Sequence, residues 1–259
     1  MIALFLVLST LAGCASETLI NVKNAIPPPP APVVTYTVEL ETYEDSFQDE
    51  DGSDLARCVY EIPVLKADRP EGDAACETFN REFDTWRDNG AGIARAAKED
   101  RPFMNSAAVY SDELRCSVYQ TGRLISVAGT YVTYTGGAHP NTILLSWNFD
   151  LESGAFFDAA TLDDEARFHD AVVQALNAQA ALRARESGLA PRDLFWEDYQ
   201  DTLENWSSYA VSFGEAGMSV MFSPYELACY AAGPQVFEIP YEDLAPHLGS
   251  QGRALLGLE

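Results

Sequence analysis

The chain has 259 residues, of which 47% are hydrophobic and 11% aromatic, so it carries enough apolar side chains to build a folded core. This composition excludes a disordered acidic tail. The formal net charge of −24 at pH 7 disfavours binding to nucleic acid and to anionic lipid headgroups. Such a surface attracts cationic partners, although solubility or adaptation to a saline habitat explains the charge equally well.

The N-terminal segment has the features of an export signal. Residues 2–11 are apolar apart from one Ser-Thr pair, and this run is too short for a bilayer core that needs about twenty residues. Cys14 follows Leu-Ala-Gly, which resembles the lipobox of bacterial lipoproteins. We therefore predict a signal peptide over residues 1–13 and acylation of Cys14; the alternative is a generic signal peptide with an incidental cysteine. Small residues after the cysteine favour the outer membrane, facing the periplasm.

A proline-rich tether follows over residues 14–34. Its Ile-Pro-Pro-Pro-Pro-Ala-Pro run at 26–32 favours an extended, semi-rigid spacer. At about 3 Å per residue, it would hold the folded part away from the membrane.

Four further cysteines lie in the body of the chain: Cys58, Cys76, Cys116 and Cys229. An even number in an exported chain predicts two disulfides, with three possible pairings. Their spacing does not favour a zinc site.

Residues 41–54 are dense in carboxylates, which raises the question of a calcium loop. Such a loop with Gly52 at its sixth position would need an acid at its first position, where Phe47 stands. We therefore predict a solvated acidic loop here.

The hydrophobic periodicity predicts helices and strands in alternating blocks. The predicted strands cover 33–40, 58–65, 114–119, 124–135, 142–149, 211–213, 218–222 and 236–239. The predicted helices start at Asp73, Thr161, Pro191 and Pro240. The first of them carries Phe79, Phe83 and Trp86 on one face, which is typical of a helix that packs on a core.

The predicted long helix runs from Thr161 to Gly188, and a shorter one covers 191–203. The expected buried face of the long helix consists of Phe168, Val172, Ala175, Leu176, Gln179 and Leu182. The strands between residues 114 and 154 are expected to form an antiparallel meander.

Two motifs point to a known family. The first is Tyr131-x-x-Tyr134-x-Gly136-Gly137-Ala138-His139, followed by a strand and a Leu-Glu-Ser-Gly154 turn. The second is Phe222-x-x-Tyr225-Glu-Leu-Ala-x-Tyr230-Ala-x-Gly233, with Pro240-Tyr241 after it. Together they resemble the extracytoplasmic domains of RsiV-type anti-sigma factors and of the peptidoglycan deacetylase PdaC. Cys229 stands where a proline is usual in that motif.

The resemblance implies an α+β fold of two adjoining subdomains, over residues 35–135 and 136–259. It also implies a ligand-binding module of the cell envelope. RsiV binds lysozyme, a basic enzyme, through this region, so the resemblance implies a cationic protein or a cell-wall component as partner. The motif residues that would contribute to binding are Tyr131, Tyr134, Gly136, Gly137, His139, Tyr225, Tyr230 and Tyr241.

The sequence offers few groups for catalysis. His139 has no Ser or Cys nucleophile motif near it, and we expect it to stabilise its turn between Tyr131 and Tyr134. Asp150 and Asp158 flank the Gly154 turn and would suit glycan hydrolysis if held about 5–10 Å apart, although Asx turns explain them as well. With His169 and His247 elsewhere, we predict no catalytic residue, metal or cofactor.

We therefore hypothesise a lipid-anchored binding module in the cell envelope. The alternatives are a hydrolase acting on cell-wall glycan and a structural envelope lipoprotein without a soluble ligand.

Overall fold

The computed structural model of the protein describes residues 33–87, 89–103, 108–162 and 167–258. The signal peptide over 1–13, Cys14 and most of the tether lie outside the described residues, so their roles stay predictions. From Val34 onward the chain forms one compact unit. Its fold is α+β, as predicted, with β-sheets covered by packed helices.

The larger sheet follows the order of the chain. Over the described residues it has six strands: β1 (Tyr36–Gln48), β2 (Asp54–Ala67), β3 (Tyr110–Gln120), β4 (Leu124–Tyr134), β5 (Asn141–Asp150) and β6 (Ala155–Phe156). The meander from β3 to β6 is antiparallel, as expected, whereas β2 and β3 are parallel. The turn between β4 and β5 contains the expected subdomain boundary at residues 135/136, and it connects two paired strands of this one sheet.

The predicted acidic loop over 41–54 is mostly a strand. β1 continues to Gln48, because each of its residues pairs with β2 up to a register shift at Phe47/Gln48. The turn itself is short, and Gly52 adopts φ +82° in it. Carboxylates on this edge strand resemble a loop in sequence, because Glu44 and Asp45 lie on opposite faces of β1 and both are exposed.

Helices α1 (Asp73–Arg87) and α2 (Gly90–Asp100) pack on the larger sheet. The predicted apolar face of α1 is confirmed, since Phe79 and Phe83 are completely buried. The Phe79 ring meets the Phe149 ring of β5 edge-on, with centroids 5.4 Å apart. This aromatic core fixes one face of the sheet against α1.

The smaller sheet lies in the C-terminal part. In the residues described it has three antiparallel strands, β7 (Ala210–Phe213), β8 (Gly217–Phe222) and β9 (Gln235–Pro240). The helices around it are α3 (Phe168–Glu186), α4 (Pro191–Leu194), α5 (Tyr199–Glu204), α6 (Tyr241–Leu244) and α7 (Ser250–Leu256). None of the described helices is long and apolar enough to cross a membrane.

Helix α3 differs in detail from the prediction. A short 3-10 helix at Ala159–Leu162 precedes it, and the α-helix begins at Phe168. Its buried residues are four apart, namely Phe168, Val172, Leu176, Ala180 and Ala184. Leu182, expected inside, is 42% exposed because it falls off this row. The single helix predicted over 191–203 is two short ones, α4 and α5.

A polar seam joins the two sheets. The edge strand β7 has no strand neighbour on its outer side in the described residues, and side chains of the larger sheet take that place. The Ser126 hydroxyl accepts a hydrogen bond from the Phe213 N–H (2.8 Å), and the Ser146 hydroxyl accepts one from the Val211 N–H (3.0 Å). Asn148 Nδ2 donates to the Val211 carbonyl (2.8 Å), and its Oδ1 accepts from Ser126 (2.7 Å). The seam thus satisfies buried backbone groups that would otherwise lose hydrogen bonds.

The opposite edge of the smaller sheet is closed by α3. Gln179 Nε2 donates to the Glu238 carbonyl (2.9 Å), and the Arg183 guanidinium donates to the Val236 carbonyl. Arg183 also lies over the Phe237 ring, 4.1 Å from its centroid. Both edges of this sheet are therefore bonded by side chains.

Candidate functional site

The glycine-histidine turn between β4 and β5 holds His139 at the surface. Gly136 adopts φ +83°, which favours glycine at this position. His139 is exposed, and its Nδ1 lies 2.9 Å from the Pro140 carbonyl, so that nitrogen carries the proton. The expectation that His139 packs between Tyr131 and Tyr134 is wrong, because its ring stacks on a residue from the second motif.

That residue is Tyr230, in the loop between β8 and β9. The rings of His139 and Tyr230 are 3.7 Å apart between centroids and inclined by 19°. The Tyr230 hydroxyl donates to the Pro140 carbonyl at 3.1 Å. The two sequence motifs therefore meet in space, although ninety positions separate these partners in the chain.

Tyr225, in the same loop, has a strained backbone. Its φ of +74° is the only positive value at a non-glycine position in the described residues. The conformation is held by hydrogen bonds from Tyr225 N–H to the Ala228 carbonyl (3.1 Å) and from Trp196 Nε1 to the Tyr225 carbonyl (3.0 Å). Despite these bonds, the Tyr225 side chain is 54% exposed. Backbone strain of this kind costs about 1–3 kcal/mol and accumulates at functional sites.

We refer to His139, Trp196, Tyr225 and Tyr230 as the aromatic patch. The Tyr225 ring lies 5.7 Å from Tyr230 and 6.5 Å from His139, and Trp196 is 39% exposed. Tyr230 is half-buried. The side chains of His139, Trp196 and Tyr230 are bonded to backbone carbonyls, so these rings lose little conformational entropy when a ligand covers them. Their faces suit stacking and contact with cationic groups.

The remaining tyrosines of the motifs are structural. Tyr131 packs edge-on against Trp86 (5.1 Å), and burial together with a hydrogen bond to Asp112 raises the pKa of Tyr131 to about 12. Tyr241 is half-buried, and its hydroxyl donates to the Gly214 carbonyl at 2.9 Å. Tyr134 is half-buried at the end of β4, before the turn that contains Gly137. These residues form and support the fold, and they do not belong to the aromatic patch.

A buried carboxylate lies beneath Tyr131, and the sequence analysis missed it. Asp112 is 1% exposed and accepts hydrogen bonds from the Tyr60 hydroxyl (2.6 Å) and Asn89 Nδ2 (2.7 Å). Burial, and then the bond to Asp112, raises the pKa of Tyr60. The signal was present in β3, because Asp112 alternates in phase with the buried Leu114.

Asp150 and Asp158 are engaged in the fold. Asp150 forms two hydrogen bonds with the Arg123 guanidinium (2.8 and 3.0 Å) beside a small cavity of about 230 Å3. Burial alone would raise the pKa of Asp150, but hydrogen bonds from Arg123 and from the Glu152 N–H outweigh it and lower that pKa. Asp158 accepts the Ala160 N–H (2.8 Å) in an Asx turn. Both carboxylates therefore have hydrogen-bond partners within the fold.

The cysteines do not form the two expected disulfides. Cys58, Cys76, Cys116 and Cys229 are all free thiols in the described part of the chain. Cys58 on β2 and Cys116 on β3 are buried, Cys76 is half-buried on α1, and Cys229 is exposed. The strand register explains why the two buried cysteines do not bond to each other. Cys58 lies opposite Asp112, and Cys116 lies opposite Gly129.

The three histidines lie apart in the fold. His169 on α3 packs its ring 4.9 Å from Trp206, and His247 is exposed in a 3-10 helix after α6. Across the described ranges, no group of three or more His, Cys, Asp or Glu side chains is placed to hold a metal ion.

Residues 158–242 match the family model described as "protein of unknown function (DUF3298)". This match covers helices α3 to α5, the smaller sheet and the start of α6, and it includes Trp196, Tyr225 and Tyr230. No curated protein matches the chain.

Solved structures share the fold. A DUF3298 family member from Bacteroides fragilis is 15% identical, with a TM-score of 0.60 over 86% of this chain and 97% of that one. A DUF3298 family protein from Pseudomonas aeruginosa is 17% identical, with a TM-score of 0.51 over 84% and 96% of the two chains. The likeness concerns the fold, and it extends to the larger sheet, beyond the segment that the family model matches.

Proposed function

We propose that the protein is an exported, lipid-anchored binding module that recognises a cationic protein through the aromatic patch. Residues 1–13 would direct export, Cys14 would carry the lipid, and the proline-rich tether would place the folded unit away from the membrane. The localisation rests on the lipobox and the tether alone.

The observation that carries this proposal is the conformation of Tyr225. A strained backbone supports an exposed ring, and an indole N–H is committed to holding that backbone in place. Neither the strain nor the exposure contributes to stability, so a role in recognition accounts for both.

Charge favours a cationic ligand over a neutral one. The faces of Tyr225 and Tyr230 attract Lys and Arg side chains, and each such contact contributes about 0.5–1 kcal/mol at an exposed site. Glu197 and Asp198 follow Trp196 directly, and Glu226 follows Tyr225. With a net charge of −24, this surface would also accelerate the approach of a basic protein in low salt.

A basic lysozyme is a suitable probe for this proposal. Titration into the purified full-length protein should give saturable binding that weakens as salt rises. Replacing both Tyr225 and Tyr230 by Ala should weaken the binding by about five- to thirtyfold, since two ring contacts of about 0.5–1 kcal/mol each are lost. Phe103→Ala provides the matched control, because it removes a ring that is 86% exposed outside the patch.

The outcomes separate the alternatives. Binding to insoluble peptidoglycan but not to lysozyme would replace the cationic partner by a cell-wall glycan. Equal binding by the double variant and the wild type would remove the aromatic patch from recognition. Absence of binding to either ligand would favour a structural envelope lipoprotein.

A further inference from the structure

Side chains close most sheet edges of this molecule. The polar seam covers β7, and α3 covers β9. Where β3 stops pairing with β2 beyond Tyr60, Asn80 of α1 replaces the missing strand. Its Oδ1 accepts the Leu65 N–H (2.8 Å), and its Nδ2 donates to the Leu65 carbonyl (3.1 Å). The edge strand β6 has only two residues.

The edge of β1 is the exception. The Asp68 N–H donates to the Thr35 carbonyl (3.0 Å), so odd-numbered residues of β1 bond to β2 and even-numbered residues direct their backbone groups away from it. At the start of the strand, the outward Tyr36 carbonyl accepts a hydrogen bond from Gln120 Nε2 (2.8 Å). Within the described residues, no bond from another element reaches the later outward residues, Val38, Leu40, Thr42, Glu44 and Ser46.

The open edge is long for a folded protein. β1 has 13 residues, against about 5–6 in an average strand. Leu40, on this edge, is 45% exposed. A long edge with free N–H and C=O groups is a template for pairing with another chain, and natural proteins normally block it. Among the described residues, side chains block the edges of β7 and β9, β6 is only two residues long, and the edge of β1 stays open.

The charge of β1 indicates what kind of strand would pair with its open edge. β1 contains four carboxylates, Glu39, Glu41, Glu44 and Asp45, and no Lys or Arg. Only Glu39 among them has a salt bridge in the described part of the chain, with Lys66. A second copy of this strand would bring the same charges into register, and that repulsion disfavours pairing between copies. A strand rich in Lys or Arg would instead form favourable cross-strand pairs.

We propose that β1 is a strand-addition site for an extended, cationic segment of a partner protein. The added strand would become the outermost strand of the larger sheet, with its backbone bonded to the five outward residues of β1. This surface is separate from the aromatic patch, so the two proposals stand or fall independently.

An alternating Lys-Val peptide of about ten residues tests the proposal directly. We expect it to bind the full-length protein and to slow hydrogen exchange at the outward amides of β1. An alternating Glu-Val peptide of equal length should not bind. Binding of the Lys-Val peptide without slower exchange at Leu40, Thr42 and Glu44 would overturn the proposal.

N-methylation separates strand addition from simple charge attraction. Two Lys-Val peptides are compared, one methylated at every Lys amide and one at every Val amide, since an added strand presents one row of amides to β1. One peptide should bind and the other should fail. If the two behave alike, the interaction is not strand addition and the proposal is wrong.

A pair of variants tests the same edge from the side of the protein. Thr42→Pro removes an outward N–H without touching the ladder to β2, whereas Thr42→Val keeps that N–H. We expect Thr42→Pro to weaken the binding of the Lys-Val peptide by at least about tenfold, and Thr42→Val to leave its affinity unchanged. Equal affinity of the two folded variants would contradict the proposal. If Thr42→Pro does not fold, the comparison of the two methylated peptides decides whether binding occurs by strand addition.

Discussion

Two tyrosine-rich regions of this protein use similar side chains for opposite purposes. Around Asp112, the Tyr60 hydroxyl is buried and bonded to the carboxylate, and Tyr131 packs on Trp86. In the aromatic patch, Tyr225 is exposed on a strained backbone. The first region stabilises the fold, and the second costs stability. Membership in a sequence motif therefore does not reveal which role a tyrosine has.

The largest effect is expected at the buried region. Asp112→Ala would leave the buried Tyr60 hydroxyl without its acceptor, and it would also remove the bond to the amide of the exposed Asn89. We expect the free energy of unfolding to fall by about 3 kcal/mol, since a buried unpaired group such as this hydroxyl costs about 1–3 kcal/mol. Urea unfolding measures it, with the exposed Asp45→Asn as control. A loss below about 1 kcal/mol would show that Asp112 does not organise this region.

The polar seam should give the next effect. Asn148→Ala removes the donor to the Val211 carbonyl and the acceptor of the Ser126 hydroxyl. We expect a loss of about 2 kcal/mol in urea unfolding. Asn141→Ala, at the exposed start of the same strand, should change stability by less than about 0.5 kcal/mol. Equal effects of the two variants would mean that the seam does not hold the sheets together.

The ion pair between Arg123 and Asp150 predicts a pH dependence. The folded state lowers the pKa of Asp150. The stability that the ion pair contributes is therefore fully present above the pKa of Asp150 in the unfolded chain, about 3.9. It is lost as the pH falls through the lower pKa of Asp150 in the folded state. Arg123→Ala should cost about 2 kcal/mol at pH 7, because charged hydrogen bonds contribute about 1.5–3 kcal/mol.

The difference between Arg123→Ala and the wild type should then narrow below about pH 4, as Asp150 becomes protonated. Arg115→Ala is the matched control, since that guanidinium is 48% exposed in its salt bridges, and exposed pairs contribute about 0–1 kcal/mol. A difference that stays constant from pH 7 to acid would contradict the assignment.

Local patterns predicted much of this fold. The alternation of Leu114, Cys116 and Val118 indicated β3, and the helical spacing of Phe79 and Phe83 indicated the buried face of α1. The hydrophobic pattern gave a wrong prediction along β1, because the exposed acidic residues of this strand resemble a loop in sequence. It also failed for the disulfides, since a cysteine count carries no information about register.

The aromatic patch was only half predictable. Its members His139, Tyr225 and Tyr230 were candidates because both motifs were recognisable. Their stacking depends on long-range packing of the β4–β5 turn against the β8–β9 loop, which no local pattern encodes. Trp196 was missed, because its link to Tyr225 is a single hydrogen bond to a backbone carbonyl.

Tyr225→Gly tests the central claim most directly, and it has the smallest expected effect on stability. Glycine adopts the positive φ without strain, so the free energy of unfolding should stay level or rise by up to about 1 kcal/mol. The affinity of the variant for basic lysozyme should fall by about two- to fivefold, since one ring contact of about 0.5–1 kcal/mol is lost. A protein that is stabilised but binds weakly supports recognition by the aromatic patch. Undiminished lysozyme binding by Tyr225→Gly would contradict it.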